Sequence, residues 1–165
     1  MSSIDHLLKY LQNSYPTIKQ ELFDNMQGKN YDKLIKWYQN LLKPRCDSLI
    51  NIVIQKKIRD KEIEKEIKMF EKLLKQLDDS LKESKAEYFS GTDTVSAVDI
   101  VLHSGVSTIV QLYSQKGRLS DQEYRYLAPW MMSMEEIQIV NHNLLKMKEI
   151  INNKNMNPGA FIKSN

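Results

Sequence analysis

The segment from Gly91 to Leu112, GTDTVSAVDIVLHSGVSTIVQL, constrains the fold of this chain more than any other. Its second half would place apolar residues on most sides of a helix, which is typical of a helix surrounded by other helices. A helix buried in this way must satisfy its first four backbone N–H groups without water. We therefore expect a central helix whose start carries its own capping residues.

Ser96 and Asp99 have the spacing of such a cap. In the pattern S-x-x-D, Ser96 accepts a hydrogen bond from the backbone three residues on, and the Asp99 carboxylate accepts one from the Ser96 N–H. Val95 and Ile100 lie on either side of this pair and have the spacing of a hydrophobic staple. These four residues are predicted to fix where the helix begins and the angle at which the chain enters it.

Further amphipathic segments predict an all-α fold. Helical patterns run over residues 31–42, 120–134 and 135–152, with Pro44 expected to kink or end the first. The clearest repeat alternates steps of four and three residues, and its members are Ile63, Ile67, Phe70, Leu74, Leu77 and Leu81. That face can pack in the chain's own bundle or in an intermolecular coiled coil. Two shorter helical patterns precede residue 31.

The EYFSG and VSAVDI motifs, followed by the spacing of Tyr124, Leu127 and Trp130, resemble the C-terminal helical domain of the glutathione transferase superfamily. The likeness covers residues 31–152, leaving a helical extension over 1–30 and an extended tail over 153–165. Transferases of this family have a thioredoxin-like domain in front that carries the glutathione site. A domain of that kind needs at least about 50 residues, whereas only some 30 precede Tyr31 here and those have helical patterns. The resemblance therefore implies a helical bundle without the glutathione site, and we expect no cofactor and no catalytic residue.

Four side chains are candidates for chemistry. His103 lies one turn into the apolar helix, where a core histidine is commoner than a ligand. Cys46 adjoins Arg45, which can lower a thiol pKa, but its neighbourhood in the sequence has no histidine base. His142, like His6, has no acidic or cysteine partner at metal-ligand spacing, so we expect no metal site.

Candidate docking residues occur in three places. The WMMSM segment offers a Met- and Trp-rich surface, although a core-facing segment is the alternative. The two termini are expected to dock on neighbouring subunits. The candidates are Trp130, Met131, Met134, Phe161, Ile162, Leu7, Leu8 and Leu11.

The charge pattern argues against nucleic acid. The net charge is +3, and acidic residues from Asp60 to Glu66 interleave with the basic ones that could meet phosphates, Lys56, Lys57 and Arg59. Tyr113, Tyr124 and Tyr126 remain candidates for base stacking. No apolar run reaches the roughly 18 residues of a membrane span. With a single cysteine and no signal-peptide core, we expect an intracellular protein, cytoplasmic or peripheral to a mitochondrial membrane complex.

These observations favour a non-catalytic scaffolding subunit whose partners are other protein subunits of a larger assembly. Two alternatives stay open. One is a glutathione-dependent transferase subunit whose catalytic half is supplied by another chain. The other is an RNA-binding adaptor of the translation machinery.

Overall fold

Six α-helices and one π-helical turn form the part of the chain that the computed structural model describes, residues 29–54, 60–91, 93–114 and 118–153. No β-strand occurs in these ranges, and the all-α prediction is confirmed. The elements are α1 Lys29–Trp37, the π-turn Tyr38–Leu42, α2 Lys43–Ile54, α3 Asp60–Ser84, α4 Ala97–Tyr113, α5 Leu127–Glu136 and α6 Gln138–Asn153.

Pro44 does not end the first helix, because a π-turn precedes it. Proline has no N–H to donate, and its ring collides with the carbonyl four residues earlier in a regular α-helix. Over Tyr38–Leu42 the hydrogen bonds widen, and the Lys43 N–H donates to the Tyr38 carbonyl five residues back. The chain therefore passes from α1 through Pro44 into α2 with helical backbone throughout.

The heptad face of α3 is buried in the chain's own core. Its six apolar residues, from Ile63 to Leu81, are each at most 3% exposed. Of the two alternatives for this face, packing in the chain's own bundle therefore holds, and an intermolecular coiled coil does not. The helix ends at Ser84, and Lys85 takes a positive φ of 55° to turn the chain away.

Helix α4 lies at the centre, in contact with α1, α2, α5 and α6. Its buried apolar residues include Leu102, Val106, Ile109, Val110, Leu112 and Tyr113. The Tyr113 hydroxyl donates to the Leu49 carbonyl of α2 over 2.8 Å. Gly105 lets Tyr38 approach closely, since a Cβ there would lie 3.2 Å from the Tyr38 ring. The helix expected to be central occupies that position.

The start of α5 differs from the prediction. Helix was expected from Ser120, but residues up to Tyr126 form turns and α5 begins at Leu127. The reason is a cap from a distant helix: Asp78 of α3 accepts hydrogen bonds from the backbone N–H groups of Tyr126 and Leu127, each over 2.8 Å. The junction with α6 also shifts, because Ile137 adopts an extended conformation and separates the two helices.

The predicted N-terminal extension and tail lie outside the described residues, apart from the first two residues of α1 and the last residue of α6. Within the described helices, none combines the length and the hydropathy needed to cross a membrane.

Candidate functional site

The entrance of α4 is organised by one buried carboxylate. Asp99 is 0% exposed. With Ser96 it forms a reciprocal capping box, in which each side chain reaches the backbone N–H of the other. The Ser96 N–H donates to Asp99 Oδ2 over 2.9 Å, and the Ser96 hydroxyl donates to the same oxygen over 2.5 Å. Val95 and Ile100, the predicted staple pair, are half-buried against the core.

The second oxygen of Asp99 binds two groups from outside the helix. The backbone N–H of Phe89 donates to Oδ1 over 2.8 Å, and the Trp130 indole N–H donates to it over 3.1 Å. One carboxylate thus joins α4, the loop before it and α5. Burial raises the pKa of the Asp99 carboxyl, and the hydrogen bonds from Ser96, Phe89 and Trp130 oppose that rise.

Trp130, Met131 and Met134 do not form a surface. They are 2%, 5% and 0% exposed. The Trp130 ring packs edge-on against Phe89, with centroids 5.0 Å apart, and its indole N–H is bound by Asp99. The prediction of an exposed contact surface is wrong for these three residues, because α5 turns them inward, and the core-facing alternative holds. Met132 is the exposed methionine of the segment.

The other predicted docking residues lie outside the described parts of the chain. Phe161 and Ile162 belong to the tail, and Leu7, Leu8 and Leu11 to the first segment. Their docking on neighbouring subunits therefore stays a prediction.

His103 is buried and lacks a hydrogen bond at Nε2. The residue is 3% exposed, and its ring meets Trp130 edge-on at a centroid distance of 5.9 Å. Burial lowers the pKa of His103 to about 4, so the imidazole is neutral at physiological pH. The side chain also lines a cavity of about 110 Å³ between α4 and α6. The sequence pointed to His103 as a core residue but held no signal for this cavity, whose other wall comes from a distant helix.

Cys46 is a buried thiol on α2. Its sulfur donates to the Gly105 carbonyl over 3.6 Å. Burial, aided by the charge of Asp47, raises the Cys46 pKa to about 12. Arg45, which could have lowered it, instead binds Glu66 over 3.1 Å. The thiol therefore stays protonated, and no thiolate is available as a nucleophile.

Burial excludes two of the three tyrosines that were candidates for base stacking. Tyr113 is 0% and Tyr124 is 2% exposed, so neither can stack on a base, whereas Tyr126 is 44% exposed. The phosphate-binding candidates Lys56, Lys57 and Arg59 fall in the undescribed stretch 55–59. In the parts of the chain that are described, His, Cys, Asp and Glu side chains do not gather into a group that could hold a metal ion.

A second concavity, which we call the α1–α3 groove, lies between α1, α3 and the loop after α3. It has a volume of about 570 Å³. Its apolar part comprises the half-buried Leu34, Trp37 and Phe89 and the buried Leu77. The Trp37 indole N–H donates to Gln76 Oε1 over 3.2 Å, which ties α1 to α3. The sequence pattern over residues 31–42 predicted the helix that carries Trp37 but gave no sign of the groove.

Substitutions at the cap are expected to be unequal and non-additive. Ser96→Ala should lower the free energy of unfolding by about 1 kcal/mol, as helix caps do. Asp99→Ala should cost at least about 3 kcal/mol, because four donors lose their acceptor, and each of the three buried ones costs about 1–3 kcal/mol. The double variant should lose less than the sum, since Asp99→Ala already removes the partner of Ser96.

Urea unfolding of the three variants measures these losses. Ser104→Ala, at an exposed position on the same helix, serves as the control and should change stability little. Equal losses for the two single variants, or a strictly additive double variant, would contradict the role assigned to Asp99.

Acid should destabilise the fold through His103. The unfolded chain protonates this histidine near its ordinary pKa of 6.5, whereas the folded chain does so only near 4. The free energy of unfolding should therefore fall as the pH drops from about 7 to about 4, by about 2 kcal/mol at pH 5. Above pH 7 His103 is neutral in both the folded and the unfolded chain, so it does not make the free energy of unfolding depend on pH.

Urea unfolding at pH 7.5 and pH 5 tests this dependence. His103→Leu should lose that part of the acid sensitivity, and His142→Leu, at an exposed histidine, should keep it. The same acid sensitivity in all three proteins would show that His103 is not its source.

Comparisons with protein-family models, curated proteins and solved structures find no match to this chain. The likeness to the transferase C-terminal domain therefore rests on the sequence motifs.

Proposed function

We propose that this chain is a non-catalytic structural subunit that docks in a larger protein assembly through a transferase C-terminal-like bundle. The observation that carries this proposal is the α1–α3 groove. It presents Leu34, Trp37 and Phe89 side by side, each only half-buried. Large apolar side chains gathered in one open concavity are typical of protein contact surfaces.

The groove suits a protein segment better than a small molecule. Small-molecule sites usually enclose most of their ligand. Here Lys33, Gln76, Ser80 and Glu83 line the groove and are all exposed, so it is open at the surface. Its lining also carries no net charge, because Lys33 is balanced by Glu83. The occupant is therefore an amphipathic segment of another subunit that inserts one or two large apolar side chains beside Trp37.

Trp37 provides a rigid anchor for such a segment. Its indole N–H donates to Gln76 of α3, which restricts the ring before a partner binds and lowers the freedom lost on binding. Tryptophan residues held in this way often contribute most of the binding energy of an interface. The resemblance adds that isolated copies of this domain serve as docking units in translation-factor and aminoacyl-tRNA synthetase complexes. The cytoplasm and the periphery of a mitochondrial membrane complex are the two proposed locations of the assembly.

A charged side chain in the groove should block assembly without unfolding the protein. Ser80→Arg places a long cation beside the apolar lining, at an exposed helical position where substitutions change stability by about 0.5 kcal/mol or less. We expect an unchanged melting temperature and at least a tenfold loss of the chains that co-purify with this protein at native concentration. Asp79→Arg, at the neighbouring exposed position outside the groove lining, is the control. Equal recovery with both variants would contradict docking through the groove.

The alternative of a transferase subunit makes a different prediction. The scaffold proposal requires that the purified chain conjugate glutathione to a generic electrophile no faster than buffer. The thiol of Cys46, with its pKa near 12, supplies no activated nucleophile. Turnover above the buffer rate that a single substitution in this chain removes would favour the enzyme.

A further inference from the structure

The cavity between α4 and α6 has the composition of a small binding site. Its volume is about 110 Å³. Ile100 and Val140 are among its apolar lining residues, and Ser104 and Asn143 are exposed members of the lining. The cavity therefore reaches the surface between the two helices and lies apart from the α1–α3 groove.

His103 is the least satisfied polar group on this lining. Its Nε2 is buried and has no hydrogen-bond partner. A buried polar atom without a partner destabilises a fold, and each such atom in a folded protein calls for an explanation. A group that enters the cavity and bonds to the imidazole would supply one.

The remaining polar groups limit the charge of that ligand. The Ser104 hydroxyl donates to the Val101 carbonyl over 2.9 Å, and the Thr108 hydroxyl donates to the Ser104 carbonyl over 2.7 Å. Their protons are thus used within α4, and their oxygens remain as acceptors. The lining contains no Lys, Arg, Asp or Glu. A charged ligand would lose its hydration without gaining an ion pair, so the ligand is neutral.

The volume limits the size of the ligand. An apolar protein cavity of about 150 Å³ holds one benzene molecule, so this slightly smaller cavity, with its opening at the surface, suits a group no larger than a six-membered ring. The ring or short chain would lie against the apolar lining, and a hydroxyl or N–H would face His103. A hydroxyl suits either tautomer of the imidazole, because it can both donate and accept.

We propose that the cavity between α4 and α6 binds a small neutral amphiphile, such as a phenol or a short alcohol, whose hydroxyl bonds to Nε2 of His103. This site is independent of docking through the α1–α3 groove. Water is the competing occupant, since a cavity of this size has room for a few molecules. Phenol and benzene have nearly the same shape, so a comparison of their affinities distinguishes a cavity that binds the hydroxyl of an amphiphile from one that holds only water.

Titration of the purified chain with phenol and with benzene, followed by NMR, tests the proposal. We expect phenol to bind with a Kd at or below about 1 mM, at least fivefold more tightly than benzene. Phenol should shift the imidazole signals of His103 and leave those of the exposed His142 unchanged. This measurement uses the unaltered protein, so it does not depend on the folding of a variant.

The His103→Leu variant tests the hydrogen bond itself. It should still bind benzene and lose the preference for phenol, whereas His142→Leu should keep that preference. A preference for phenol that survives His103→Leu would overturn the proposal. So would phenol binding that leaves His103 unshifted, or the absence of binding at about ten times the expected Kd, in which case water alone fills the cavity.

Discussion

The arrangement of the bundle depends on the carboxylate of Asp99. It is fully buried and accepts four hydrogen bonds, two within its own cap and one each from Phe89 and Trp130. A buried carboxylate is tolerated only where donors replace the water it has lost. Moving any of these donors away would remove a hydrogen bond from the buried carboxylate, and the free-energy cost of that loss holds each donor in place. The loop after α3 and the helix α5 are thereby fixed to the entrance of the central helix.

Sequence patterns revealed the interactions that are local in the chain. The capping pair Ser96 and Asp99 is three residues apart, and the face of α3 repeats every three or four residues, so both are visible as spacings. The cap on α5 is not visible, because Asp78 lies 48 residues before Tyr126. For the same reason the sequence allowed WMMSM to be either a contact surface or a core segment. The acceptor that binds the buried Trp130 indole is Asp99, which lies 31 residues away in the chain. Only the fold shows which helix each polar atom faces.

The two concavities arise from different features of the packing. The α1–α3 groove is lined by Trp37 of α1 and Gln76 of α3, whose side chains are joined by a hydrogen bond. The smaller cavity lies where α4 presents serine and threonine towards α6. Side chains of that size leave space between two helices that larger apolar residues would close. One feature therefore depends on a large anchored ring and the other on small hydroxyl residues.

The state of His103 follows from the same carboxylate that organises the bundle. Trp130 is the aromatic neighbour of His103, but its indole N–H is committed to Asp99. The hydroxyl protons of Ser104 and Thr108 are committed to carbonyls of α4. These three groups thus have no proton left to offer, while burial keeps the ring neutral. Because Nε2 has no partner and His103 lines the cavity, a group that enters the cavity is the proposed partner, and the unpaired histidine and the space beside it are proposed to form one site.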